Sequence, residues 1–277
     1  MLPESLLPFA LEGMIAPMLI AFAICGIAIL FNLPGLFAAA LAAASLAPCM
    51  LAPSAFPPAK LLEYLPYFGL AAFLLFLPFD LKKLPGTVLH GVRWLFSLAA
   101  VWLLLKPVLA KWSMQEAAGN ISTIVLLWAM TWSHIETVSK ERPAGVIMLA
   151  IAAVGGGIAL YVASSALLGQ MSLSLGIALA SWLFVAQTSP DSRAGHSGIA
   201  LAYTLFASLM LIGAYYSEIP RAIILLVLCT FLADKLVQVL VQLKPDFPDH
   251  SVIALTTTLA LVPSAIVIGI VILNYFQ

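Results

Sequence analysis

The sequence predicts an all-α polytopic membrane protein, and three observations lead to this fold class. Of the 277 residues, 63% are hydrophobic and only 9% are charged, whereas soluble domains carry roughly 25% charged residues. The mean hydropathy of the chain is +1.11. The apolar runs are continuous over about 20 residues and do not alternate, which is typical of membrane-spanning helices rather than of barrel strands.

The apolar runs predict a bundle of about ten spans in a single membrane domain covering residues 1–277. The second run is interrupted by Pro48 and Pro53, and the seventh run is short. The predicted spans are 13–31, 34–51, 61–79, 88–110, 120–138, 145–168, 171–186, 198–216, 219–243 and 252–276.

An internal duplication is one hypothesis for this bundle. The first span contains "GMIAPMLIAFAICGIAIL" and the sixth contains "GVIMLAIAAVGGGIALYV". A true repeat would give halves 1–140 and 141–277 in a 5+5 inverted arrangement, which is common among secondary transporters. The alternative is chance similarity, because Gly and Ala are frequent throughout the chain.

Basic residues predict the orientation, because short loops rich in Lys and Arg remain in the cytoplasm. Loops after odd-numbered spans are richer in them, so we expect an inner-membrane protein with both termini non-cytoplasmic. The predicted cytoplasmic set is Lys82, Lys83, Arg93, Lys140, Arg142, Arg193 and Lys244, and the opposite set is Lys60, Lys106, Lys111 and Arg221.

Charge and cysteine content exclude several classes of function. The 12 Lys and Arg residues balance the 12 Asp and Glu residues, so no basic surface is available for nucleic acid. Cys25, Cys49 and Cys229 lie in apolar runs without paired spacing, so no metal site is predicted. The sequence also lacks a phosphate-binding Walker loop, and it leaves any cofactor undefined.

The ninth predicted span contains a polar stripe. Thr230, Asp234, Gln238 and Gln242 recur every four residues, with Lys235 beside them, so they share one helix face. A charge facing lipid near the bilayer centre costs at least ~2.5 kcal/mol, so the stripe should face other helices or water.

Further charges are expected at a similar depth in the fourth and fifth spans, near the cytoplasmic end. They are Arg93, His134 and Glu136. In the functional interpretation Asp234 or Glu136 binds a proton or a solute, and Arg93 or Lys235 holds an anion or a counter-charge. In the structural alternative Lys235 extends to the interface, while Asp234 and Arg93 either pair or bind hydroxyls of other helices and so lock the bundle.

Trp128 and Trp132 precede Glu136 at four-residue steps on the fifth span. Tryptophans near a membrane boundary usually form an interfacial belt, and we predict that role for this pair. The alternative is that the two rings wall a ligand pocket.

The segment Gly195-His196-Ser197-Gly198 resembles the GxSG motif of rhomboid intramembrane proteases. The resemblance implies Ser197 as nucleophile and His250, which precedes the tenth span, as its base. The glycines that follow the histidine in that family are absent here, as is its Trp-Arg loop motif. From the residues alone, "TSPDSRAGHSG" is a turn that caps a helix start.

These patterns favour a transporter, or a membrane subunit of one, for a small solute or ion, with Asp234, Lys235, Arg93, Glu136, His134 and Gln238 as site residues. The alternatives are an intramembrane hydrolase that uses Ser197 and His250, and a non-catalytic structural subunit. The expected partners are the lipid bilayer, the solute or ion, and either a partner membrane subunit or a second copy of the chain.

Overall fold

The computed structural model describes residues 15–30, 36–46, 60–81, 84–186, 194–217, 219–243 and 249–275, and every regular element in them is helical. The α-helices are α1 (Ala16–Leu30), α2 (Leu36–Leu46), α3 (Leu65–Asp80), α4 (Gly86–Leu109), α5 (Met114–Glu141), α6 (Ala144–Ala163), α7 (Ala166–Ala186), α8 (Gly195–Tyr216), α9 (Arg221–Leu228), α10 (Ala233–Leu243) and α11 (Asp249–Tyr275). A 3₁₀ turn, Leu61–Tyr64, precedes α3, and a second, Cys229–Leu232, joins α9 to α10.

Seven helical segments among the described residues are long and apolar enough to cross a membrane, which indicates a multi-pass membrane protein. They comprise α3 with its 3₁₀ turn, α4, α6, α7, α8, the continuous α9–α10 segment and α11. The all-helical multi-pass architecture is therefore confirmed. The count of ten spans and the inverted repeat are not confirmed and stay predictions.

Three predicted spans correspond to helices outside this set of seven. The helix α1 has 15 residues and α2 has 11, both short for a bilayer core that needs about 20. The helix α5 has 28 residues, but its polar side chains, among them Asn120, Thr123 and His134, lower its hydropathy. Several of these polar residues border the cavities described below.

The helix α8 forms the centre of the bundle. Its residues are buried without interruption from Ser197 to Gly213. It packs against α2, α3, α4, α5, α6, α7 and α9. A helix that is buried on every side must be apolar around its whole circumference, as α8 nearly is.

The pair α6 and α7 forms the closest helix packing, because glycines allow their backbones to approach. A Cβ atom on Gly157 would lie 2.8 Å from the backbone nitrogen of Leu173. A Cβ atom on Gly176 would lie 3.0 Å from the carbonyl oxygen of Ala150. The hydroxyl of Ser172 donates to the carbonyl of Ala153 at 2.8 Å, which adds an interhelical hydrogen bond.

We predict that Gly169→Ala destabilises the protein by about 1–3 kcal/mol, because overpacking a close contact forces the backbones apart. The new Cβ would lie 2.5 Å from the Cα atom of Tyr161, and backbone cannot move aside cheaply. Thermal unfolding in detergent measures the loss. The matched control is Gly91→Ala on α4, where a Cβ meets nothing within 4 Å and should be neutral or stabilising. Equal stability of the two variants would contradict this packing.

Some residues used in the sequence predictions lie outside the described part of the chain. They are Pro48, Cys49, Pro53, Lys82, Lys83, Arg193 and Lys244. Cys25 and Cys229 are free thiols, the first buried and the second exposed. The predicted orientation of the bundle therefore stays a prediction.

Candidate functional site

Two polar cavities lie on different sides of α5, near its carboxyl-terminal end. The first, which we call the Glu136 cavity, has a volume of about 300 Å³ between α3, α4, α5 and α8. The second, the Asp234 cavity, has a volume of about 420 Å³ between α5, α10 and α11. A helix turns by about 100° per residue, so Glu136 and His134 project about 200° apart and reach different cavities. Thr137 borders both cavities.

An ion-pair network, the Glu136 network, forms the wall of the first cavity. Arg93 of α4 pairs with Glu136 of α5, and each side chain is 3% exposed. Oε1 of Glu136 lies 2.5 Å from Nδ1 of His196 in α8 and 3.4 Å from Nζ of Lys140. Nδ1 of His90 lies 3.5 Å from the Arg93 guanidinium. Each buried charge thus faces an opposite charge, which is the condition for its burial.

The carboxylate of Asp80 caps the amino terminus of α8 from the end of α3. It accepts hydrogen bonds from the backbone N–H groups of His196 at 2.5 Å and Ser197 at 2.9 Å. The first N–H groups of a helix lack internal acceptors and carry partial positive charge, so an anion is stabilising there. Gly195 begins α8 with φ of 65°, a left-handed conformation that suits glycine.

Asp80 was missed in the sequence, although a signal for it was present. It is the last residue of α3, and a negative charge at a helix carboxyl terminus is unfavourable. An aspartate at that position therefore indicates a partner elsewhere, here the start of a helix 116 residues further on.

Ser197, the proposed nucleophile of the hydrolase hypothesis, is fully buried. Its hydroxyl donates to Oδ2 of Asp80 at 2.5 Å, and the neighbouring His196 ring contacts Glu136. The backbone of His250 lies in the first turn of α11, and its side chain is outside the described part of the structure. The described contacts of Ser197 are those of a first-turn residue that is capped by Asp80.

The Asp234 cavity contains most of the predicted polar stripe. Asp234 is 5% exposed and lies in the first turn of α10. Its carboxylate accepts a hydrogen bond from Nε2 of Gln238 at 2.6 Å, and Lys235 donates to Oε1 of Gln238 at 3.3 Å. Gln242 also borders the cavity, while Thr230 is fully buried in the 3₁₀ turn.

His134 lies between the Asp234 cavity and the 3₁₀ turn of the α9–α10 segment. It borders the cavity, and its ring lies near the backbone of Phe231 in this turn. Its Nε2 atom is buried and has no hydrogen-bond partner among the described residues. A buried ring nitrogen without a partner costs free energy unless water, a proton or a ligand satisfies it.

The helix α5 contacts the α9–α10 segment at the 3₁₀ turn. A separate apolar groove lies on the other side of this contact from the Asp234 cavity. The groove has a volume of about 560 Å³ and is formed by α5, α8 and α9. Phe231 is 3% exposed, and its ring centre lies 5.7 Å from that of Phe206 in α8. Along α5 and along the α9–α10 segment, the residues that line the polar cavity and those that line the apolar groove therefore lie on either side of this contact.

The site residues predicted from sequence thus divide into two groups. Arg93 pairs with Glu136, and not with Asp234 as the structural alternative proposed. His134, Lys235 and Gln238 share the other cavity with Asp234.

The Trp128 and Trp132 rings do not lie in an interfacial belt, and that prediction was wrong. They are 4% and 0% exposed. The Trp132 ring centre lies 4.8 Å from that of Phe76 and 5.8 Å from that of Tyr203. The Arg93 guanidinium lies 5.8 Å from the Trp132 ring centre, so the aromatic core supports the Glu136 network.

Comparison of the chain with models of known protein families, with curated proteins and with solved structures yields no match. Within the described ranges, no group of three His, Cys, Asp or Glu side chains could hold a metal ion.

Proposed function

We propose that the chain is a membrane transporter, or the membrane subunit of one, for a small solute or ion, with about ten spans. In this proposal the Asp234 cavity is the solute or proton site, and Asp234 is its essential charge. The observation that supports it most is a buried carboxylate directly after a 3₁₀ turn within a helical segment, at the wall of a polar cavity. Ionisable residues in membrane-spanning segments are usually functional, and 3₁₀ stretches inside helices often mark functional hinges.

The contacts of Asp234 favour binding over a purely structural role. Its only described hydrogen bond comes from Gln238, and a carboxylate accepts about four, so it retains acceptor capacity toward the cavity. Nε2 of His134 also lacks a partner among the described residues. Together these groups offer an acceptor and a titratable ring to a proton or to a donor group of a solute.

The 3₁₀ turn Cys229–Leu232 is the proposed hinge. Short 3₁₀ stretches inside helices often mark hinges. A shift of α9 or α10 about this turn would change the packing at Phe231 and open or close the Asp234 cavity. Access to the cavity would then depend on the position of these two helices.

The Glu136 network would serve as the fixed frame for this movement. It joins α4, α5 and α8 through the buried Arg93–Glu136 pair and the Glu136–His196 contact, and Asp80 joins α3 to α8. Rigid support on one side of α5 allows the α9–α10 segment to move against the other. We expect the Glu136 network and the Asp80 contact to lie at the cytoplasmic ends of their helices in the inner membrane.

Thiol labelling tests the proposed movement without knowledge of the solute. Gln242→Cys is prepared in a background in which Cys25, Cys49 and Cys229 are alanine, and is labelled with a membrane-impermeant maleimide. We expect Asp234→Asn to change its labelling rate severalfold, because loss of the charge shifts the balance of open and closed states.

The matched control is Lys140→Cys. Lys140 is exposed near the carboxyl-terminal end of α5, where both cavities lie, but it borders the Glu136 cavity. Its labelling rate should be unaffected by Asp234→Asn. A Gln242→Cys rate that is equally unaffected would contradict a mobile cavity and favour the structural-subunit alternative.

A further inference from the structure

The apolar groove between α5, α8 and α9 lies on the half of α5 opposite to both polar cavities. Its walls are mostly apolar. Leu127 on one lip is 41% exposed and Leu225 on the other is 53% exposed, so the groove opens sideways from the bundle. In a membrane this opening faces the hydrocarbon chains of the lipids.

The groove has the length of one lipid leaflet. Along α5 it extends from Glu116 to Trp128, and twelve residues of helix span about 18 Å. Half of a hydrocarbon core of about 30 Å is about 15 Å. One acyl chain that stands parallel to α5 therefore fits the groove from its mouth to its deep end.

Aromatic residues place the mouth of the groove at the level of the lipid headgroups. The rings of Trp112 and Tyr215 pack edge to face with centres 5.5 Å apart. The guanidinium of Arg221 lies 4.7 Å from the Tyr215 ring centre. Trp, Tyr and basic residues are typical of this interfacial layer.

The mouth carries one charge of each sign. Among the described residues no carboxylate pairs with Arg221, whose guanidinium borders the groove. Oε2 of Glu116 accepts hydrogen bonds from the backbone N–H of Ser113 at 2.9 Å and from its hydroxyl at 2.8 Å. These bonds lower the pKa of Glu116, so it is ionised at neutral pH. Oε1 has no partner among the described residues.

We propose that this groove is a binding site for phosphatidylethanolamine. One acyl chain fills the groove, the phosphate contacts Arg221, and the primary ammonium donates to Oε1 of Glu116. Phosphatidylcholine has the same charges but no N–H group to donate, and phosphatidylglycerol has no cation for Glu116. The site is independent of the transport function proposed above.

Tryptophan quenching in detergent micelles tests the site with phosphatidylethanolamine whose acyl chains carry bromine. The signal from Trp128 is the difference between the wild type and Trp128→Phe. We expect phosphatidylethanolamine to quench it at a lower mole fraction than phosphatidylcholine or phosphatidylglycerol with the same chains. Equal quenching by the three lipids, or stronger quenching by phosphatidylglycerol, would overturn the proposal.

Variants locate the binding within the groove. Arg221→Ala should raise the half-quenching concentration about fivefold, as should Glu116→Gln. Glutamine at this position still completes the capping box with Ser113, so α5 keeps its start. Ala207→Phe, in the groove floor, should abolish the Trp128 signal.

The control is Lys106→Ala, which should have no effect. Lys106 is a basic residue outside the groove, 6.0 Å from the Trp102 ring centre. An effect of Lys106→Ala equal to that of Arg221→Ala would refute a specific site.

Discussion

Replacing Asp234 with asparagine is expected to abolish solute transport while the protein still folds and inserts. Asparagine has nearly the same shape and can still accept the hydrogen bond from Gln238, so packing around α10 is preserved. It cannot bind a proton or attract a cation at pH 7. If Asp234 is the charge on which transport depends, uptake should fall to the level of liposomes without protein.

Uptake is measured in proteoliposomes with a solute that the wild type accumulates, found in a panel of small carboxylates, amines and sugars. Asp234→Glu keeps the charge and should retain part of the uptake. Lys106→Ala removes an exposed charge outside both polar cavities and the groove and should transport as the wild type does. Undiminished uptake by Asp234→Asn would remove the site proposed here.

Replacing Glu136 with glutamine is expected to lower the free energy of unfolding by about 3–5 kcal/mol, because it leaves the buried guanidinium of Arg93 without its counter-charge. The pair is 3% exposed on both sides, so water compensates little. Unfolding in mixed micelles with increasing dodecyl sulfate measures the loss.

Two further variants separate the buried pair from the exposed part of the network. Lys140→Ala removes a contact of Glu136 in which the lysine is 56% exposed, and should cost about 0.5 kcal/mol or less. The double variant Arg93→Met with Glu136→Leu removes both charges and should recover most of the stability lost by Glu136→Gln. A double variant no more stable than Glu136→Gln would show that the pair is not a coupled unit.

Local sequence was sufficient for the helices and for the polar face of the α9–α10 segment. A continuous apolar run specifies a helix because lipid offers the backbone no hydrogen-bond partners. The four-residue spacing placed the Asp234 stripe on one helix face, and Asp234, Gln238 and Gln242 do border one cavity, where Asp234 is buried and both glutamines are exposed. Both conclusions depend only on neighbours within a few residues.

Contacts between distant helices could not be inferred in the same way. A similar depth for Arg93, Glu136 and Asp234 suggested one cluster, but depth along a helix does not specify rotation about its axis. The rotation of α5 directs Glu136 toward α4 and α8, and His134 toward α10. For the same reason Trp128 and Trp132 turned out to be core residues and not part of a belt.

The sequence by itself determined that this protein is a multi-pass helical bundle. It also determined which face of the α9–α10 segment is polar. Only the tertiary structure decided that Asp80 caps α8, that Arg93 pairs with Glu136, and that Asp234 and His134 meet beside the 3₁₀ turn. The physical reason is that backbone hydrogen bonding and solvent transfer are local, whereas the pairing of buried charges requires the relative rotation and position of separate helices.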